Sequence, residues 1–323
     1  MNVRIRDLRI RVRDSIVQPE IERLYAELER RGLKFRPHVW LSTEWFSPDG
    51  VPGIAVPFFA AHPRLRQIER RIMGEVEGGS SRWRLRILRH EAGHAIDTAF
   101  GLRRRADWRA TFGRASTPYP RDYVVRPGSH RFVQHLGYWY AQSHPTEDFA
   151  ETFAVWLQPK ARWRREYAGW RALKKLEYVD ALMAEIAGQR PRVRNRSVHA
   201  PLAETPGTLG EYYRRKQDAY DPTERRYDDW LTRTFARRQK RPRGARASRF
   251  IRESVPKLKR ALVPQFGINP YLADHVIQRL RQRARELDLV LRASRRASLR
   301  PVLALHERVA FDVLRRNREN YLL

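Results

Sequence analysis

Leu88-Arg89-His90-Glu91-Ala92-Gly93-His94 and, further along the chain, Glu147-Asp148-Phe149-Ala150-Glu151 fix two helices and what must lie between them. His90 and His94 stand four residues apart, so a helix places both imidazoles on one face, with a carboxylate between them in sequence. Glu147 and Glu151 repeat the same step on a second expected helix and offer a further carboxylate. Two imidazole nitrogens and one carboxylate oxygen, with a coordination position left open, make the donor set of a catalytic zinc.

Working outward, the first segment lies in an apolar helix over 81–100 that carries Leu85, Ile87, Leu88, Ala92, Ala95 and Ile96, and Gly101 ends it. His144-Pro145-Thr146 marks the start of the second, which continues through Phe149, Ala150, Phe153, Val155 and Trp156 up to Pro159. The connection over 102–144 reads as irregular near Pro118 to Pro127 and aromatic-rich beyond it. Upstream, Val17, Ile21, Leu24, Tyr25 and Leu28 form a helical stripe within 15–31, closed by Gly32. Leu33, Phe35, Val39 and Leu41 alternate as in a strand. Pro48-Asp49-Gly50 is a turn, and Ile54 to Phe59 a second short strand, with Pro57 suited to an edge. Such an edge would accept an extended peptide by backbone hydrogen bonds. Helices are expected from Pro63 to Val76 and from Trp170 to Ile186. The fold class that follows is α+β, a small N-terminal sheet with a mainly helical remainder. Gly188 to Gly207, with three prolines and little periodicity, reads as a linker over 189–207. Beyond it, 208–323 is a basic helical region with amphipathic helices at Val276–Leu291 and Val302–Leu314 and a charge run at Arg237–Arg243.

Lys and Arg number 66 against 36 Asp and Glu, a formal charge of +30 that would draw nucleic acid, anionic membrane or acidic protein without choosing among them. Arginines on solvated helix faces produce the same number. The absence of cysteine excludes disulfides, thiol catalysis and Cys-ligated zinc. Met1 to Arg6 alternates charged and apolar residues without the apolar run of a signal peptide, and no window has the apolar length of a membrane span. Cytoplasmic residence is the default expectation. No Gly-rich phosphate loop, serine nucleophile motif or dinucleotide fingerprint appears.

Within the motif, the plain alternative is a pair of core histidines satisfied by hydrogen bonds, and the later glutamates weigh against it. Gly93 costs about 1 kcal/mol of helix propensity and is expected to thin the helix where metal, water and substrate approach. Glu91 suits the general base that takes a proton from the attacking water and returns it to the leaving amine. Spacing does not decide whether Glu147 or Glu151 is the third ligand; the other would fix a ligand histidine through its second ring nitrogen. Asp97 lies three residues past His94 but is hard to converge on the same centre from an unbroken helix, so a structural or outer role suits it. The metzincin extension fails, since Asp97 and Phe100 stand where it needs Gly and His. His62, His130, His135 and His144 read as surface or helix-start residues, and His144 alone is placed to approach the site. Arg126 and Arg131 are weaker cleft candidates.

Leu88 to His94, followed by His144-Pro145-Thr146-Glu147-Asp148-Phe149-Ala150-Glu151-Thr152-Phe153-Ala154, resembles a family of zinc-binding metallopeptidases of bacteria, and more distantly the glutamate-zincin (gluzincin-like) group that includes anthrax lethal factor. The resemblance spans about 30 to 186 and implies a zincin-like metallopeptidase domain over 1–188, with Glu147 as zinc ligand and Glu151 orienting a ligand histidine. It also implies that Tyr140, seven residues before Glu147, donates to the developing oxyanion or leaving group, with Tyr138 a close rival. A peptide or protein substrate and one Zn2+ are what this reading expects. The runner-up is a nucleic-acid-associated or other binding protein whose zincin fold holds a non-catalytic metal. It rests on the charge and on the basic C-terminal region, which would suit an anionic partner.

Overall fold

The computed structural model describes residues 1–73, 76–119, 129–136, 139–220, 227–238, 244–266 and 270–320. These form two compact units, Met1–Tyr212 and Tyr213–Leu323. In the first, a small sheet precedes a mostly helical body, an α+β arrangement. No described helix is long and apolar enough to cross a membrane.

The first unit opens with helix α1 (Gln18–Arg30), whose Pro19 sits in the first turn, where no backbone donor is lost. Strand β1 (His38–Ser42) pairs in parallel with β2 (Gly53–Pro57), from His38 opposite Gly53 to Ser42 opposite Pro57. Leu33 and Phe35 are buried but precede the strand, which is shorter than their alternation suggests. Within the connection, Phe46 turns back so that its carbonyl accepts from Ala55 N at 2.8 Å, and β2 is flanked on both sides at that point. The expected strand through Phe59 stops at Pro57, because Phe58–Ala61 already turns as the short helix α2. Helix α3 (Pro63–Met73) follows.

Helix α4 (Ser81–Phe100) is the centre of this unit. The Ser80 hydroxyl caps it by accepting from Trp83 N at 3.2 Å, and Gly101, at φ +65°, ends it in the left-handed conformation that glycine adopts without strain. It is buried along most of its length because α1, β2 and α6 (Pro145–Leu157) all pack on it. Helix α5 (Ala106–Phe112) lies in the connection between the two ligand segments, ahead of the part expected to be irregular, and no helix was expected there. Its Trp108 and Phe112, one turn apart, close on Phe149 at ring distances of 5.7 and 5.4 Å. Two turns carry too few apolar positions to show a period in sequence. Helices α7 (Trp163–Glu166) and α8 (Ala172–Ile186) complete the body.

Residues 189–207 lie within the first unit and are bonded to it. The side chains of His38, Trp40 and Ser42, which share one face of β1, reach the carbonyls of Ser197, His199 and Ala200 at 3.0, 2.9 and 2.7 Å. Arg192 and Val193 both donate their backbone N–H to Ala99 O.

The second unit is built from α9 (Leu209–Tyr220, shared with the first at its start), α10 (Asp228–Thr234), α11 (Ala247–Phe266), α12 (Pro270–Glu286) and α13 (Arg295–Asn320). Leu231, Phe235, Ile251, Leu258, Val276, Ile277 and Val302 form its core. The expected helix to Leu291 ends five residues earlier: Leu289–Val290 is a strand, β4, antiparallel to β3 (Ala236–Arg237). Of the charge run, Arg237 and Arg238 are described and residues 239–243 lie outside the described residues.

Candidate metal centre

Two arginines fix α4 before the histidines begin. Arg89 makes a two-pronged bond to Glu27 of α1 (2.7 and 2.7 Å), and Arg84 pairs with Glu20 at 2.6 Å. All four side chains are buried, so these charges are structural and not, as composition suggests for the class, solvated. On another side, α4 meets α6 where Gly93 faces Ala150. A Cβ at Gly93 would lie 2.8 Å from Ala150 Cα and 3.1 Å from its carbonyl oxygen. The expected purpose of Gly93 is therefore corrected: it admits the second helix backbone, not an approaching substrate.

That close crossing brings the donor atoms together. His90 Nε2 and His94 Nε2 are 3.1 Å apart, and Glu147 Oε2 lies 3.1 Å from the first and 3.2 Å from the second. Each residue offers one ligand atom, all within 4.8 Å of one another. Zinc bonds of about 2.0–2.2 Å in a tetrahedron separate neighbouring donors by roughly 3.3–3.6 Å, so the set fits the ion with an expansion of a few tenths of an ångström.

The electrostatics point the same way. Glu91, Glu147 and Glu151 are all buried around two imidazoles, which leaves the cluster short of positive charge. Against the penalty of burial, hydrogen bonds to Glu147 and Glu151 hold His90 well above its ordinary range. Burial also opposes ionisation of Glu147, but His94 and His90 together hold its carboxyl well below the usual carboxylate range. Burial raises the Glu91 carboxyl, with His90 and His94 pulling it back, so its charge is felt at the cluster.

The surrounding contacts are specific. Glu151 Oε1 is 2.9 Å from His90 Nδ1, and its other oxygen accepts from Leu136 N at 2.9 Å. The Tyr140 ring lies 5.5 Å from that of His90. Asp97 is bonded by Arg103, through the backbone N–H at 2.7 Å and Nε at 2.6 Å, and so secures the end of α4. Tyr138 and Arg126 lie outside the described residues, and Arg131 is exposed.

Sequence reasoning passed over Tyr119 and the burial of His135, whereas it singled out His144 as able to approach the site. Tyr119 donates its hydroxyl to Glu147 Oε1 at 2.7 Å and lies 2.9 Å from Thr146 Oγ1. Burial and the Glu147 charge push its phenol upward, which keeps it a donor. His144 is buried, caps α6 by accepting from Thr146 N at 3.2 Å, and stacks on Tyr119 with ring centroids 3.9 Å apart. His135, expected at the surface, is also buried, 2.9 Å from Arg86 O. Only the His-Pro-Thr helix start carried a local signal; Tyr119, between two prolines, had none.

Fold and cluster together define a candidate two-helix His-His-Glu metal site. The model of a family described as "Putative zinc-binding metallo-peptidase" matches residues 54–168, a span that begins within β2 and holds α4, α6 and every donor of the cluster. No curated protein and no solved structure matches the chain, anthrax lethal factor included.

Proposed function

We propose that the protein is a zinc-dependent peptidase, an endopeptidase acting on peptide or protein substrates. The observation that carries this reading is the convergence of His90, His94 and Glu147 on one point, with the buried Glu91 carboxylate coupled to them. The family match over the same residues supports it. Bound zinc would supply Lewis-acid polarisation of the scissile carbonyl and make water a usable nucleophile near neutral pH.

The chain's own residues do the rest. His90 and His94 present Nε2, and Glu147 presents Oε2, as the three protein ligands. Glu151, itself pinned by Leu136 N, accepts from His90 Nδ1, which fixes the tautomer that leaves Nε2 free to bind. Glu91, made more basic by burial, takes the proton of the attacking water and delivers it to the departing amine. Tyr140, whose ring lies beside that of His90, stabilises the developing oxyanion.

The test is hydrolysis of a broad peptide library by the parent and by Glu91→Gln. The reading expects the variant to keep its zinc and to lose at least about 100-fold in rate. A variant that retains both zinc and full activity would remove Glu91 from the chemistry, and a zinc-loaded parent that cleaves nothing would leave the metal structural.

A further inference from the structure

The proposed centre has one outer contact on a histidine, from Glu151. The structure carries a second, on the carboxylate. Glu147 turns Oε2 toward His90 and His94, while Oε1 points away and accepts from the Tyr119 hydroxyl at 2.7 Å. A carboxylate with both oxygens free can rotate about its last torsion and offer either or both to an ion. With Oε1 held by a phenol, only Oε2 is presented.

Tyr119 is itself held in place. Its ring stacks on His144 at 3.9 Å and 16°, and its oxygen is also within 2.9 Å of Thr146 Oγ1. Both nitrogens of that imidazole are occupied: Nδ1 lies 2.6 Å from Thr146 Oγ1, and Nε2 lies 2.7 Å from Thr117 O. Thr117 and Tyr119 come from the loop after α5, whereas His144 and Thr146 begin the helix that bears Glu147. The loop and the helix start therefore form one locked unit behind the third ligand.

We propose that Tyr119 is a positioning residue of the metal centre, fixing Glu147 as a one-oxygen ligand through the bond from its hydroxyl to Oε1. This rests on the reading of His90, His94 and Glu147 as the zinc site, and it adds a residue that the two ligand segments do not contain. Tyr119 sits at 40% exposure, so its substitution does not open the core.

The experiment compares the parent with Tyr119→Phe, which keeps the ring over His144 and removes only the hydroxyl. Zinc affinity is measured by competition with a chromophoric chelator, and the visible spectrum of the Co2+-loaded protein reports ligand geometry. Loss of an outer contact of this type weakens metal binding about 10- to 100-fold, and that is the expected range here. The Co2+ spectrum should shift, and the thermal midpoint of the metal-free protein should not. Affinity and spectrum equal to the parent's would overturn the proposal. So would an equal drop in the metal-free midpoint, which would make Tyr119 merely structural. A parent that binds no zinc at all would instead bring down the underlying site, so the two failures are told apart.

Discussion

Gly93 shows how one atom sets the geometry of this centre. Its missing Cβ lets α4 and α6 approach until Ala150 Cα would be 2.8 Å from it. Gly93→Ala should thus destabilise the protein. Overpacking of this kind costs roughly 1–3 kcal/mol, against the about 1 kcal/mol of helix propensity that alanine returns. Chemical denaturation should show a lower midpoint, and a raised one would mean the helices have slack at the crossing. At this scale the sequence was legible where chemistry is local. The four-residue steps placed His90 with His94 and Glu147 with Glu151 on helical faces, and the structure brings His94 Nε2 and Glu147 Oε2 each to 3.1 Å from His90 Nε2 and Glu151 Oε1 to 2.9 Å from its Nδ1. The reason for Gly93 and the contact from Tyr119 were not legible, because both depend on segments far apart in sequence.

Between elements, the orientation of α4 depends on α1 through the buried pairs Arg89–Glu27 and Arg84–Glu20. Arg89 directly precedes His90, so its anchor also sets where the first imidazole points. Glu27→Ala leaves a buried guanidinium without its carboxylate, a change that costs about 3–5 kcal/mol. Replacing both partners, with Arg89→Met and Glu27→Leu, should restore most of that loss. Thermal unfolding of the two variants separates the cases; a Glu27→Ala protein as stable as the parent would mean that water reaches Arg89. Composition hid these pairs, since two buried arginines do not stand out among so many exposed ones. Long apolar helices were readable in the same way that short elements were not: α4 and α6 have several turns of pattern, whereas α5 and α2 have too few. The strand ending at Pro57 and the strand at Leu289–Val290 were likewise settled by packing rather than by local preference.

Across the whole chain, each unit buries a histidine in its neutral form. Burial lowers His135 in the first unit and His306 in the second from 6.5 to about 4. A lowered histidine means that the unfolded chain binds the proton first, so stability is present above pH 6.5 and is lost as pH falls toward 4. Each group contributes about 3 kcal/mol over that window. His306 donates from Nδ1 to Val302 O at 2.7 Å, while its buried Nε2 has no partner among the described residues. His306→Leu should accordingly flatten the pH dependence of the second unit between pH 6.5 and 5, followed by denaturant midpoints at each pH. An unchanged slope would show that the ring is protonated when folded. The central claim concerns the first unit and has a more direct test, the zinc content of the purified protein set against that of Glu147→Ala, measured by elemental mass spectrometry. The account predicts one zinc per chain in the parent and almost none in a folded Glu147→Ala. A parent without zinc, or a variant that holds it as well as the parent, would contradict it.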